Sequence, residues 1–352
     1  MPIGVAPVKS GRTGDDVWHG MTSWLDQIRR DHPPGAQRCS PPRLLAQLVQ
    51  CAIIALAACG AGGAPARAAG FDLDFFKPTT PATGYFCEEN GLTVGRGTLD
   101  ADVSGGYSHR PLVLRDQKTA LTTGDVVRDR ITGFVTVALG LTDRVDIGLR
   151  LAAVMQQLGT VAVDLTNDGG VPQHPRSSAL GDTDLLLRVA LLDVDHRYQG
   201  FRLTLTAPMG IPTGAADALS GSGKFSFRPS LTAGWHRVRL SGAASVGYAW
   251  RPGAEVPSSG LLVGNAVTAG AGVGYALIRD RLWIQAEASV SVGAVLSRTG
   301  AGTVATQLIA GPRALLPGHV MVQVGAGTGL NQSAGSPRFA ALATVGRAWS
   351  IP

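Results

Sequence analysis

From about residue 92 onward the chain alternates. Apolar side chains occupy every second position and Gly, Ser, Thr or charged residues fill the places between, which is the period of a strand with two unlike faces. In 282–292, Leu282, Ile284, Ala286, Ala288, Val290 and Val292 oppose Trp283, Gln285, Glu287, Ser289 and Ser291. In 319–330, Val320, Val322, Val324 and Ala326 oppose His319, Gln323, Gly325, Gly327 and Gly329. In 145–156, Val145, Ile147, Leu149 and Leu151 oppose Asp146, Gly148, Arg150 and Gln156, and in 201–207, Phe201, Leu203 and Leu205 oppose Arg202, Thr204 and Thr206. The pattern predicts about twelve strands, over 92–107, 126–139, 145–157, 179–191, 200–209, 224–235, 237–250, 264–277, 282–294, 303–316, 319–330 and 338–349.

Two architectures give strands of this kind. A soluble sandwich or lipocalin-like barrel turns the apolar face inward; a membrane barrel turns it outward to lipid and keeps the polar face in the lumen. Three features favour the second. The strands are long, as a tilted bilayer crossing requires and a globular strand does not. Tight turns near 142–144, 236–237, 279–281 and 317–318 alternate with longer polar loops near 108–125, 158–178, 210–223 and 251–263, the short-turn, long-loop alternation of outer-membrane barrels. The start of the chain reads as a signal peptide that sends it out of the cytoplasm. The even strand count also puts both ends of the barrel on one side. The fold class expected is therefore all-β, a transmembrane antiparallel up-and-down β-barrel over 92–352. Tyr107, Trp235, Tyr248, Trp250, Tyr275 and Trp349 fall near the proposed strand ends, where aromatic girdles sit.

Composition agrees. Glycine accounts for 47 of 352 residues and only 16% of the chain is charged, too little charge for a disordered chain. No apolar stretch reaches the length of a spanning helix. The net charge of +6 is scattered, without a basic run interleaved with aromatics, so no nucleic-acid partner is expected.

The beginning of the chain reads as an export signal. Arg43 precedes the apolar run Leu44–Cys59, small residues follow, and Ala66-Arg67-Ala68 offers a cleavage site. The expected organisation is a polar extension over 1–42, with a true start downstream of Met1, a signal peptide over 43–69, a periplasmic segment over 70–91, and then the barrel. A competing reading takes Leu56-Ala57-Ala58-Cys59 as a lipobox with Cys59 lipidated. Of the four cysteines, only Cys87 lies beyond the leader, so no intrachain disulfide is expected in the exported chain.

Several segments carry a family resemblance. PLVLRD at 111–116, LTDRVDIGLRLA at 141–152, LGDTDLLLRVAL at 180–191, LTLTAPMGIPTG at 203–214 and FAALATVGRAW at 339–349 resemble outer-membrane barrels of myxobacteria and related Gram-negative bacteria. Many of those carry a following OmpA-like peptidoglycan-binding domain, whereas this sequence stops at Pro352. A looser similarity extends to the phenol-degradation-pathway family of outer-membrane channels. The motifs mark strand–turn junctions and imply fold rather than chemistry.

The alternation places charges on the polar face: Asp146, Arg150, Asp182, Asp184, Arg188, Arg202, Lys224, Arg228 and Glu287 are the candidate lumen-lining residues, with Asp100, Asp102, Arg128, Arg130 and Arg338 beside them. A charge facing lipid at mid-membrane costs about 2–4 kcal/mol, so their segregation is required. They form either a charged conduction path or a network of ion pairs that fills a narrow interior. A lipid-modifying enzyme is a remote alternative. Ser108, His109 and Asp116 lie near one external strand end, but neighbouring strand residues point to opposite faces and no lipase signature appears. The glycine runs at 270–274 and 325–329 lack the strand-to-helix junction of a nucleotide loop. Asp164, Asn167 and Asp168 lack EF-hand spacing. No catalytic residue, metal or cofactor is expected. The function expected is passive transport of a small solute, hydrophobic or aromatic by analogy with the looser family; the alternative is a non-conducting structural or surface-interaction barrel. Expected partners are outer-membrane lipid, the barrel-assembly machinery and the solute.

Overall fold

The computed structural model describes residues 72–80, 84–115, 122–162, 174–196, 199–251, 254–256, 261–297, 302–331 and 333–351. The leader, the Ala68 and Cys59 processing sites, Asp116 and the acidic loop residues 164–168 lie outside these. Twelve staves run along the chain: β1 (Thr98–Arg115), β2 (Thr122–Gly140), β3 (Val145–Leu158), β4 (Ser178–Leu180 and Thr183–His196), β5 (Gln199–Thr206 and Met209–Ile211), β6 (Ser226–Phe227 and Ser230–Arg237), β7 (Leu240–Ala249 and Ala254–Val256), β8 (Leu261–Val263 and Ala266–Ile278), β9 (Leu282–Ser297), β10 (Gly302–Leu316), β11 (Val320–Thr328) and β12 (Phe339–Ser350). Each pairs antiparallel with the next. Twelve pairs from Thr98↔Ser350 to His109↔Phe339 then join the last stave to the first. Closure leaves no row of peptide groups unpaired, which an apolar surround demands.

The pleat sorts the side chains as the alternation requires. Thr98, Asp100, Asp102 and Ser104 of β1, Thr132 and Thr136 of β2, Gln285, Glu287, Ser289 and Ser291 of β9, Gln323 of β11 and Thr344 of β12 are buried inside. Val103 (62% exposed), Val135, Ile147, Leu205, Val246, Val273, Ile284, Val324 and Val345 face outward. Val103 lies opposite both Val135 and Val345, so the apolar rows run around the circumference as a belt. Trp235, Tyr275 and Trp349 are exposed at one rim and Tyr248, Trp250 and Phe339 at the other. Val103→Arg is expected to destabilise the lipid-embedded barrel by about 2–4 kcal/mol, read as a lower urea midpoint in liposomes.

The connections divide the two ends. Residues 141–144, 238–239, 279–281 and 317–319 are tight turns at the end where β1 begins, with Val238, Asp280 and Gly318 at positive φ. Residues 212–225 and 329–338 are longer connections at the opposite end. Two staves outrun their expected limits there. β1 and β2 have 18 and 19 residues, well beyond the ~9–11 of a crossing, because hairpin pairing continues past the belt without an apolar face to satisfy. The loop expected near 251–263 likewise contains the small ladder Ala254–Val256 with Leu261–Val263.

Three charges expected on the lumen face lie elsewhere. A register shift between Val127 and Asp129 breaks the alternation, and Arg128 points outward, its side chain 58% exposed. Lys224 is exposed in the connection that precedes Ser226–Phe227, because β6 starts two residues later than the pattern suggests. Arg338 is exposed just before β12. Residues 72–80 and 84–94, assigned from the sequence to a periplasmic segment as far as residue 91 with plugging of the lumen left open, run through the barrel interior.

Candidate functional site

The lumen is a set of charged rungs built by register. β3 and β4 place Asp146 opposite Arg188 and Arg150 opposite Asp184, directly paired opposite charges. Arg188 Nε donates to Asp146 Oδ1 at 2.9 Å. Arg150 donates to Asp184 Oδ2 through Nε at 3.1 Å and Nη2 at 2.7 Å, a planar two-point contact that suits guanidinium. Arg228, between the two parts of β6 and two staves along the wall, donates to Asp184 Oδ1. Arg202 pairs with Asp193 at 3.0 Å nearer the tight-turn end. Asp182 has a different role: it accepts the backbone N–H groups of Gly214 at 2.9 Å and Ser222 at 3.0 Å, and so fastens the 212–225 connection over the rim.

The interior segment answers these rungs. Lys77 lies between Asp72 at 2.8 Å and Asp184 at 3.3 Å. Arg150 Nη1 donates to the Pro78 carbonyl at 2.7 Å. Arg130 grips Asp74 with two bonds, 3.2 and 2.7 Å. Residues 84–89 double back tightly against Thr79, with Phe86 O accepting from Thr79 N at 3.0 Å and Glu88 O from Tyr85 N at 2.8 Å. Its apex is held by one carboxylate: Glu287 Oε2 accepts the N–H groups of Phe86, Cys87 and Glu88 at 3.0, 2.8 and 3.0 Å. Successive amides converging on an anion form a nest. Glu88 accepts from Ser245 and Ser289 at 2.6 Å each, and burial, opposed by those two bonds, pushes its carboxyl above the ordinary glutamate range. Further on, Val94 N donates to Asp146 Oδ2 at 2.9 Å and Thr204 to Gly91 O at 2.6 Å.

Glycines make the room. A Cβ on Gly234 would sit 2.1 Å from the Asn90 carbonyl oxygen, one on Gly272 would lie 2.5 Å from the Tyr85 ring, and one on Gly325 would lie 2.6 Å from the Phe86 ring. The two glycine runs of the sequence are therefore seats for the double-back. The sequence alone assigns this segment to the periplasm and leaves open whether 71–90 plugs the lumen. The available signals were these lumen-facing glycines and Glu287, a carboxylate on a stave with no basic residue of its own.

Between the segment and the wall from β3 to β9 lies a cavity of about 140 Å³. Phe75, Phe76, Leu186, Pro208, Ala249 and Val290 give it apolar surface, and Lys77, Glu88, Arg150, Arg228 and Arg251 give it charge. At the outer rim, His109 pairs with Asp129 at 2.8 Å and Tyr107 donates to the same carboxylate at 2.6 Å. Ser108, one residue along the strand, is turned to the other face, so it does not join them. Among the described residues no cluster of His, Cys, Asp and Glu is arranged to hold a metal.

A family model described as "Putative MetA-pathway of phenol degradation" matches residues 132–343, more than half of the chain. The chain belongs to this family. It is the looser of the two resemblances read from the sequence. Its fold is shared with the COG4313 outer membrane channel from Pseudomonas putida F1, at a TM-score of 0.54 and 13% identity over 74% of this chain and 98% of that one. NanC porin superposes less well, with a TM-score of 0.42 and 9% identity over 72% and 99%. No curated protein matches the chain. The molecule is an outer-membrane-type β-barrel whose interior is occupied by described residues that precede β1.

Proposed function

We propose that this protein sits in the outer membrane after export through its leader and lets a small solute pass without an energy source, along the space between the inserted segment and the wall from β3 to β9. The cavity of about 140 Å³ in that space, with apolar and charged lining in one chamber, is the observation that supports the reading. A wall wet on both sides would need no apolar belt outside. The family's description, which concerns phenol degradation, and the apolar lining favour a solute with an aromatic or hydrophobic part. Lipid and the barrel-assembly machinery are the partners such a barrel requires.

A second reading, a non-conducting structural barrel, has one observation on its side: the ion pairs Lys77–Asp184 and Arg130–Asp74 bind the segment to the wall. Planar bilayers decide between the two. Purified protein is expected to give small, reproducible conductance steps; silence at every voltage, with folded protein shown to be inserted, would overturn the channel.

A further inference from the structure

The charged side of the chamber is not balanced. Lys77, Arg150 and Arg228 converge on Asp184, and Lys77 also meets Asp72. Arg251, which lines the same chamber, has no carboxylate within ion-pair distance among the described residues. Three cations thus share two carboxylates, and Arg251 adds a fourth positive charge. The other acids of the lining are committed elsewhere. Glu89 faces Arg188 at 3.5 Å, and Glu88 is held by two serines at the far wall.

The excess has open donors. Arg228 Nε and Arg251 Nη1 are buried and have no hydrogen-bond partner, a costly state that a built site resolves with an acceptor. Both guanidinium groups line the one chamber, so a single anion there can answer an open donor on each. Beside them is an aromatic wall: Arg251 Cζ lies 5.1 Å from the centre of the Phe75 ring, and Phe76, Pro208 and Ala249 continue the apolar lining. A dry cavity of about 150 Å³ accepts a benzene ring, close to the about 140 Å³ found here.

We propose that Arg228 and Arg251 hold the carboxylate of a small aromatic acid while its ring lies against Phe75 and Phe76. The chamber then selects an organic anion over the neutral aromatic of the same shape. This inference rests on the channel reading for its physiological sense, but it is a statement about binding and can be tested apart from conduction.

The probes are benzoate and benzyl alcohol, titrated by calorimetry into the full chain in detergent. Benzoate is expected to bind at least about tenfold more tightly, the difference made by charge-assisted hydrogen bonds. Arg251→Gln is expected to reduce the ratio of the two affinities to near one, and Arg251→Lys to restore part of it. The heat-dependent gel mobility of a folded barrel identifies any variant that has merely failed to fold. Equal affinities for the two probes in the unmodified protein, or a ratio unchanged by both Arg251→Gln and Arg228→Gln, would overturn the site. Benzoate binding by a protein that never conducts would uphold the site and remove the channel. An open channel that shows no preference for benzoate would do the reverse.

Discussion

A chain lacking residues 72–90 is expected to conduct several-fold more current per channel than the intact protein. The barrel closes through β1–β12 pairing, which does not involve the segment, so the wall survives the deletion and the lumen it leaves is water-filled and polar. A point substitution gives the same result by a different route. Gly234→Val places side-chain atoms where the Asn90 carbonyl lies 2.1 Å from the first of them. Because that obstacle is backbone, the segment must leave its seat. Gly105, whose added Cβ would meet nothing within 4 Å, is the control: Gly105→Ala should leave conductance as it was. Single-channel recording distinguishes the three. Equal current through intact and deleted chains would mean that the solute path does not run past the segment.

The largest stability effect is expected at Asp184. Its side chain is 1% exposed and takes Lys77, Arg150 and Arg228 together. Removing one member of a buried charge network leaves the others uncompensated, at about 3–5 kcal/mol. Asp184→Ala should therefore lower the urea midpoint of the barrel in lipid more than Asp193→Ala. Asp193 pairs with Arg202 but is 42% exposed, and surface pairs contribute little. Equal midpoints for the two variants would show that lumen water screens the cluster.

The wall was legible because an alternating strand states its two faces residue by residue. Val103, Val135 and Val345 read as one face, and they form one row. Arg150 and Asp184 read as lumen charges, but only the register shows that they meet. The failures have local causes. The slip at Val127–Asp129 sends Arg128 outward, and nothing in the residues there announces a bulge. Lys224 continues the polar alternation past the point where pairing starts. The inserted segment was hidden for a deeper reason: it has no period. It is recognised by amides that meet a glutamate some two hundred positions away, 201 residues in the case of Phe86 and Glu287, and no window along the chain spans that separation.

That separation has a consequence for biogenesis. The double-back at 84–89 emerges before any stave, yet the serines and glutamate that clasp it belong to β7 and β9. Its seat does not exist until three-quarters of the wall has been laid, and the seam between the first and last staves is sewn afterwards. The polypeptide must therefore be wrapped around its own leading end, like a bottle blown around the ship, and a folding catalyst that handled it would have to keep that end inside the curl while the seam was still open.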